Sequence, residues 1–149
     1  MVFPLLIVFA SSVFRGWSAL GTRRRALLAA AGLWMVASVA SYYPHFIPYF
    51  NELVWNRLHA FRILSDSNID YGQGKGYLAV YLAQHPQASF EPLAPVLGTV
   101  VISVDRLTGV RDSPAWYRQL SQRLEPVDHV AYSYLVYDLS LEDLDTLIR

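Results

Sequence analysis

The feature that most limits what this chain can fold into is a boundary within residues 41–76, SYYPHFIPYFNELVWNRLHAFRILSDSNIDYGQGKG, where an apolar, acid-free segment gives way to a polar one. Residues 1–50 carry Arg15, Arg23, Arg24 and Arg25 with no acid, a charge of +4; residues 51–149 carry eight bases and twelve acids, −4. Net charge is zero, yet the two parts suit different surroundings. Pro44 and Pro48 cannot continue the hydrogen bonding of a preceding helix, so the apolar run from Ala26 must end or kink there. Tyr42, Tyr43, Phe46, Tyr49 and Phe50 crowd the same boundary, where amphipathic rings favour the level of lipid headgroups.

The hydrophobic fraction of 54% exceeds the usual range of soluble domains and points to lipid contact. Val2 to Phe14 is apolar for 13 residues, roughly 20 Å as a helix and short of a hydrocarbon core of about 30 Å, so it reads as a truncated membrane helix. A signal peptide is disfavoured there because no basic region precedes the run. Arg15 to Arg25 is a short basic loop that the positive-inside rule places in the cytoplasm. Ala26 to Tyr43 then has no charge, and continued to Ile47 it predicts a helix of about 33 Å, enough to cross. Its small residues, among them Ala29, Gly32, Ala37 and Ala40, would admit a second helix closely. A rival reading makes Arg23 to Ala40 an internal signal peptide cleaved after Ser38-Val39-Ala40. The expected organisation is two membrane helices in residues 1–50, the first truncated and joined to the second by the arginine loop, then an extracytoplasmic α/β domain in residues 51–149.

Within that domain, Phe50, Leu53, Val54, Leu58 and Phe61 fit one face of an amphipathic helix, lying either on a membrane surface or against the core. Ser65 to Gly76 reads as a structured turn, Tyr77 to Gln84 as a helix with Leu78, Tyr81 and Leu82 inward, and Gln87 to Pro95 as loop. Thr99 to Val104 is a β-branched strand. Ser113-Pro114 opens a helix that runs to about Leu124 and buries Trp116, Leu120 and Leu124. His129 to Asp138 reads as one strand with both faces covered. Ser140-Leu141-Glu142-Asp143 resembles a capping box in acidic form, opening a C-terminal helix. Strand, helix and strand between Thr99 and Asp138 predict a βαβ unit with two parallel neighbouring strands.

Chemistry is sparse. With no cysteine, thiolate catalysis, disulfides and Cys-type zinc sites are excluded. An acidic half with one lysine, Lys75, gives no support to nucleic-acid binding. Asp66 and Asp70, with Asn68 and Gln73, can present oxygens to sugar hydroxyls or a divalent cation, or simply close Asx turns. Acidic ligands at alternate positions, as a calcium loop needs, are missing, and no metal or cofactor is expected. Gly72, Gly74 and Gly76 with Lys75 match neither the P-loop nor the dinucleotide spacing. His45, His59, His85 and His129 have no joint metal spacing, and Ser103 and Ser133 lie in predicted strands rather than on a nucleophile elbow. Tyr43, Tyr49, Trp55 and Tyr71 can stack on sugar faces or serve as interfacial anchors.

The run Tyr49-Phe50-Asn51-Glu52-Leu53, followed by Asp66-Ser67-Asn68-Ile69-Asp70-Tyr71-Gly72-Gln73, resembles a segment of bacterial polytopic glycosyltransferases related to the protein O-mannosyltransferases and the aminoarabinose transferase, enzymes that use polyprenyl-phosphate sugars. Their usual form is close to YFNEL, a spacer, then DSNLDWGQDL; here Tyr71 replaces the tryptophan and Gly74-Lys75 the aspartate-leucine. Val101 to Gly109 and Val130 to Tyr137 also look like that family's closing strands. The resemblance implies the C-terminal portion of such an enzyme in the bacterial plasma membrane, its soluble part extracytoplasmic and facing a polyprenyl-phosphate sugar and a glycan or lipid acceptor. Its implied partners are the bilayer and the enzyme's other membrane helices. Asn51, Asp66, Asn68, Asp70 and Gln73 are the polar candidates for substrate contact. The family's catalytic carboxylate is thought to lie early in a long chain, and no acid precedes Glu52, so no catalytic residue is assigned. The alternatives are a stand-alone membrane-anchored binding or scaffold domain and, more remotely, a hydrolase using Asp66 and Asp70.

Overall fold

The computed structural model describes residues 11–12, 16–50, 53–54, 56–63 and 72–148. The chain divides into two compact units, Met1–Tyr42 and Tyr43–Arg149, each taken by itself. In the first, a 3-10 turn at Trp17–Ala19 leads to helix α1, Thr22–Ala40, which buries none of its residues. The expectation of a membrane-spanning segment is corrected here. Among the described residues no helix is long and apolar enough to cross a membrane. The reason is local. Arg23, Arg24 and Arg25 occupy the first turn of α1, and the helix stops at Ala40, because 41–44 form turns ahead of Pro44. Ala26 to Ala40 then supplies only about 22 Å of apolar helix, against the 33 Å expected had it run to Ile47. The opening run Val2 to Phe14 lies almost wholly outside the described residues.

The second unit is a four-stranded sheet in the order β1-β2-β4-β3, formed by β1 (Ser89–Phe90), β2 (Gly98–Ser103), β3 (Asp128–Val130) and β4 (Tyr134–Leu139). Side chains alternate across a strand, so a sheet with two apolar faces needs cover on both. Val100, Ile102, Leu135, Tyr137 and Leu139 face Trp116, Tyr117, Leu120 and Leu147 of helices α4 (Ala115–Arg123) and α5 (Leu141–Ile148). Val101, Val130, Tyr134 and Val136 face Leu78, Tyr81 and Leu82 of α2 (Lys75–Gln84). The result is a three-layer α/β/α unit with the central strands β2 and β4 largely buried between the helices.

The βαβ expectation is also corrected. β2 and β4 are antiparallel, with Val100 opposite Tyr137 and Ile102 opposite Leu135. The run His129 to Asp138 is two strands, not one: the chain reverses at Ala131-Tyr132, and β3 pairs antiparallel with β4. Among the described residues the one parallel pair is β1 with β2, and β1 falls in the stretch read as loop. A further short helix, α3 (Val104–Leu107), follows β2 directly. In place of the amphipathic helix over Phe50 to Phe61 there is a 3-10 helix at Arg57–Arg62, opened by Asn56 Oδ1 accepting from the Leu58 N–H. It sets Phe61 into the core, and Arg62 pairs with Glu125 at 3.1 Å.

The helices near Tyr77 and Ala115 and the capping box hold. The Asp143 carboxylate accepts from the Ser140 N–H at 2.9 Å, and the Asp143 N–H donates to Ser140 Oγ at 3.2 Å, a reciprocal pair that closes α5 at its start. Ser140's hydrogen bonds hold the Asp143 carboxyl below the usual aspartate range.

Two large rings fasten the loop after β1. Trp116 Nε1 donates to the Leu93 carbonyl at 3.1 Å, and the Tyr117 hydroxyl donates to the Pro92 carbonyl at 3.1 Å. Beside them Glu91, in the left-handed region at φ 47°, accepts from Ser103 Oγ and pairs with Arg106 at 3.3 Å.

Candidate functional site

A type I′ hairpin turn needs two consecutive residues with φ above zero, which is why Asn-Gly and Gly-Gly dominate it. The connection between β3 and β4 is one residue longer, Val130 pairing with Tyr134 across Ala131, Tyr132 and Ser133, yet Ala131 and Tyr132 also stand at positive φ, 53° and 58°, with the Ser133 N–H donating to the Val130 carbonyl at 3.1 Å. For residues with a Cβ the left-handed conformation costs about 1–2 kcal/mol each. Such strain persists where the surroundings enforce it and gathers at functional positions.

The surroundings here are specific. Tyr132 stacks on His129 with ring centres 3.9 Å apart, and His45 stands edge-on to Tyr132 at 6.1 Å and to Tyr77 at 4.4 Å. Arg57 Nη1 donates to the Tyr132 hydroxyl at 3.4 Å. The Tyr132 N–H donates to His129 Nδ1 at 3.4 Å. That acceptor role leaves Nδ1 without a proton and places the neutral ring's hydrogen on Nε2. Loss of hydration pushes the His129 pKa down; Asp128 opposes this, while His45 and Arg57 add to it. His45 is pushed down by burial as well. Both rings are therefore held neutral near pH 7 beside one permanent cation.

The neutral forms are the ones the fold favours, so their contribution is complete above the ordinary histidine value of 6.5 and is lost as pH falls through 6.5 toward the lowered folded values. The thermal midpoint is expected to drop on acidification from pH 7 to 5, and to drop less in His129→Gln; parallel curves for the two proteins, followed by circular dichroism, would show that His129 is not the group responsible.

The end of the polar turn abuts this cluster. Gly74 lies so close to the hairpin that a Cβ there would stand 2.9 Å from Tyr134 Cε2 and 3.1 Å from Ser133 Cβ. A side chain at this position would force Tyr134 to shift. Gly72, at φ 92°, turns the chain into α2, and the Lys75 side chain folds back over it.

Of the residues expected to contact substrate, the half-buried Gln73 is described and sits next to Gly74, at this junction. Asn51, Asp66, Asn68 and Asp70 lie outside the described residues. Tyr132, His129, His45, Tyr77 and Arg57 were not picked out from sequence, since they come from four separate segments that only the folded hairpin draws together. The one available signal was an Ala-Tyr-Ser interruption in an otherwise apolar alternation, which carries no turn chemistry. Ser103 and Ser133 act structurally, Ser133 being fully buried with Oγ donating to the Ala131 carbonyl at 3.3 Å.

Comparison of the chain with protein-family models, with curated proteins and with solved structures finds no match.

Proposed function

We propose that residues 43–149 form the substrate-contacting, non-catalytic portion of a glycosyltransferase that takes sugar from a polyprenyl-phosphate donor. The observation that carries this is the juxtaposition of the strained Ala131-Tyr132 turn, with its Arg57, His45, His129 and Tyr77 neighbours, and the Gly72–Lys75 end of the DSNxDxGQ segment. Each group suits such a ligand. A guanidinium recognises phosphate oxygens through charge-assisted hydrogen bonds. Tyrosine and histidine rings offer flat apolar faces to a pyranose, and their polar edges meet its hydroxyls.

The donor's lipid tail sets the work at a bilayer surface, on the extracytoplasmic side of a bacterial plasma membrane. In support, α1 exposes Leu27, Leu33, Trp34, Met35 and Val36 behind an arginine-rich first turn, a composition drawn to apolar surroundings bordered by anionic headgroups.

Calorimetric titration of the full chain with short-chain polyprenyl-phosphate mannose and glucose tests this. Saturable binding is expected, weakened about tenfold or more in Arg57→Ala, since a hydrogen bond to a charged group contributes roughly 1.5–3 kcal/mol. Absence of saturation with either sugar, or an affinity indifferent to Arg57, would overturn it.

A further inference from the structure

The chain's acidic half has a basic recess away from the tyrosine cluster. Two concavities adjoin at Leu107 and Arg118, one of about 490 Å³ over Phe61 and Arg62, the other of about 260 Å³ beside Gly109 and Ser113. Among the described residues no carboxylate lines either wall, although residues 51–149 carry four more acids than bases. In the second unit the other described arginines are engaged: Arg57 with Tyr132, Arg62 with Glu125, Arg106 with Glu91, Arg111 with Asp105 and Arg123 with the Thr146 carbonyl. Arg118 differs. It lines both recesses and, among the described residues, its guanidinium makes neither a hydrogen bond nor an ion pair.

We infer that this recess is an oxyanion site that takes a phosphate monoester, with Arg118 as its principal ligand. Arg118 lies against the turn at Gly109, which runs at φ 78°, and a Cβ there would stand 3.9 Å from Arg118 Nη2. The guanidinium thus lies near the Gly109 turn, on a side chain that lines both recesses. Its fork of donors matches tetrahedral oxyanions in two-pronged geometry. The Ser113 hydroxyl, with no partner of its own among the described residues, lines the smaller recess and supplies a second donor. Phosphate fits the smaller recess, and the larger one, floored by Phe61 and rimmed by Ser121 and Gln122, has room for an organic body attached to it. The site is independent of the tyrosine cluster, since it shares no residue with it.

The test is titration of the full chain with inorganic phosphate and with glucose 1-phosphate at low and physiological ionic strength. Saturable binding that weakens with salt and falls at least tenfold in Arg118→Ala is expected, with glucose 1-phosphate binding more tightly than phosphate. Arg118 is exposed and unpartnered, so the variant keeps its fold, to be verified by its thermal midpoint. Phosphate binding without preference for the ester would confine the site to inorganic phosphate and overturn the assignment of a monoester. No saturation by either probe, or equal affinity in wild type and Arg118→Ala, would overturn the site altogether.

Discussion

Replacing Tyr117 by alanine is expected to cost about 3–5 kcal/mol, the range for emptying a buried aromatic site, a large share of the margin of a domain whose total is roughly 5–15 kcal/mol. Tyr117 is fully buried, packs edge-on to Trp116 at 4.6 Å, and lies in the cluster that joins α4 to β2 and β4. Its hydroxyl also ties down the loop after β1 through Pro92. Burial, with the Glu91 charge adding to it, pushes the Tyr117 pKa upward, so the phenol remains a donor across the accessible pH range. Packing and hydrogen bonding separate in Tyr117→Phe, which keeps the ring and removes only the donor, for an expected loss of about 1 kcal/mol. Urea unfolding followed by circular dichroism measures both. Similar losses in the two variants would mean that the anchored loop, not the ring, holds this layer together.

The second large effect concerns the hairpin. Exchanging Ala131-Tyr132 for Asn-Gly supplies residues that adopt positive φ more readily and relieves two left-handed positions at about 1–2 kcal/mol each. Part of that gain is offset, because Tyr132 also packs on His129 and His45 and accepts from Arg57. A net gain of about 1 kcal/mol is expected, a rise of roughly 4–8 °C in melting temperature for a unit of this size.

Much of the second unit was legible in the sequence, and the errors have definite causes. The helix over Tyr77 to Gln84, the strand beginning near Thr99, the helix after Ser113-Pro114 and the Ser140 capping box carry their signals within a few residues, and each is in place. The hairpin was hidden because Ala131 and Tyr132 have no turn propensity: alternation ran through them, and one strand was read where the chain reverses. From that single misreading followed the parallel βαβ unit, for two strands joined by a helix acquire their direction from where the second begins. β1 escaped notice since two residues between prolines show no period.

The membrane segment failed on length rather than composition. Ala26 to Ala40 is as apolar as expected, but three arginines share its helix and the turn before Pro44 ends it early. Arg57, His129 and Tyr132 come together through tertiary contacts that no local pattern records.

The most direct test is to titrate short-chain polyprenyl-phosphate sugar into the Ala131→Asn, Tyr132→Gly double variant beside the wild type, after confirming that the variant melts at the higher temperature. A more stable protein that has lost at least tenfold in affinity is the expected result. Undiminished affinity in the stabilised variant would contradict a ligand-binding role for the strained turn.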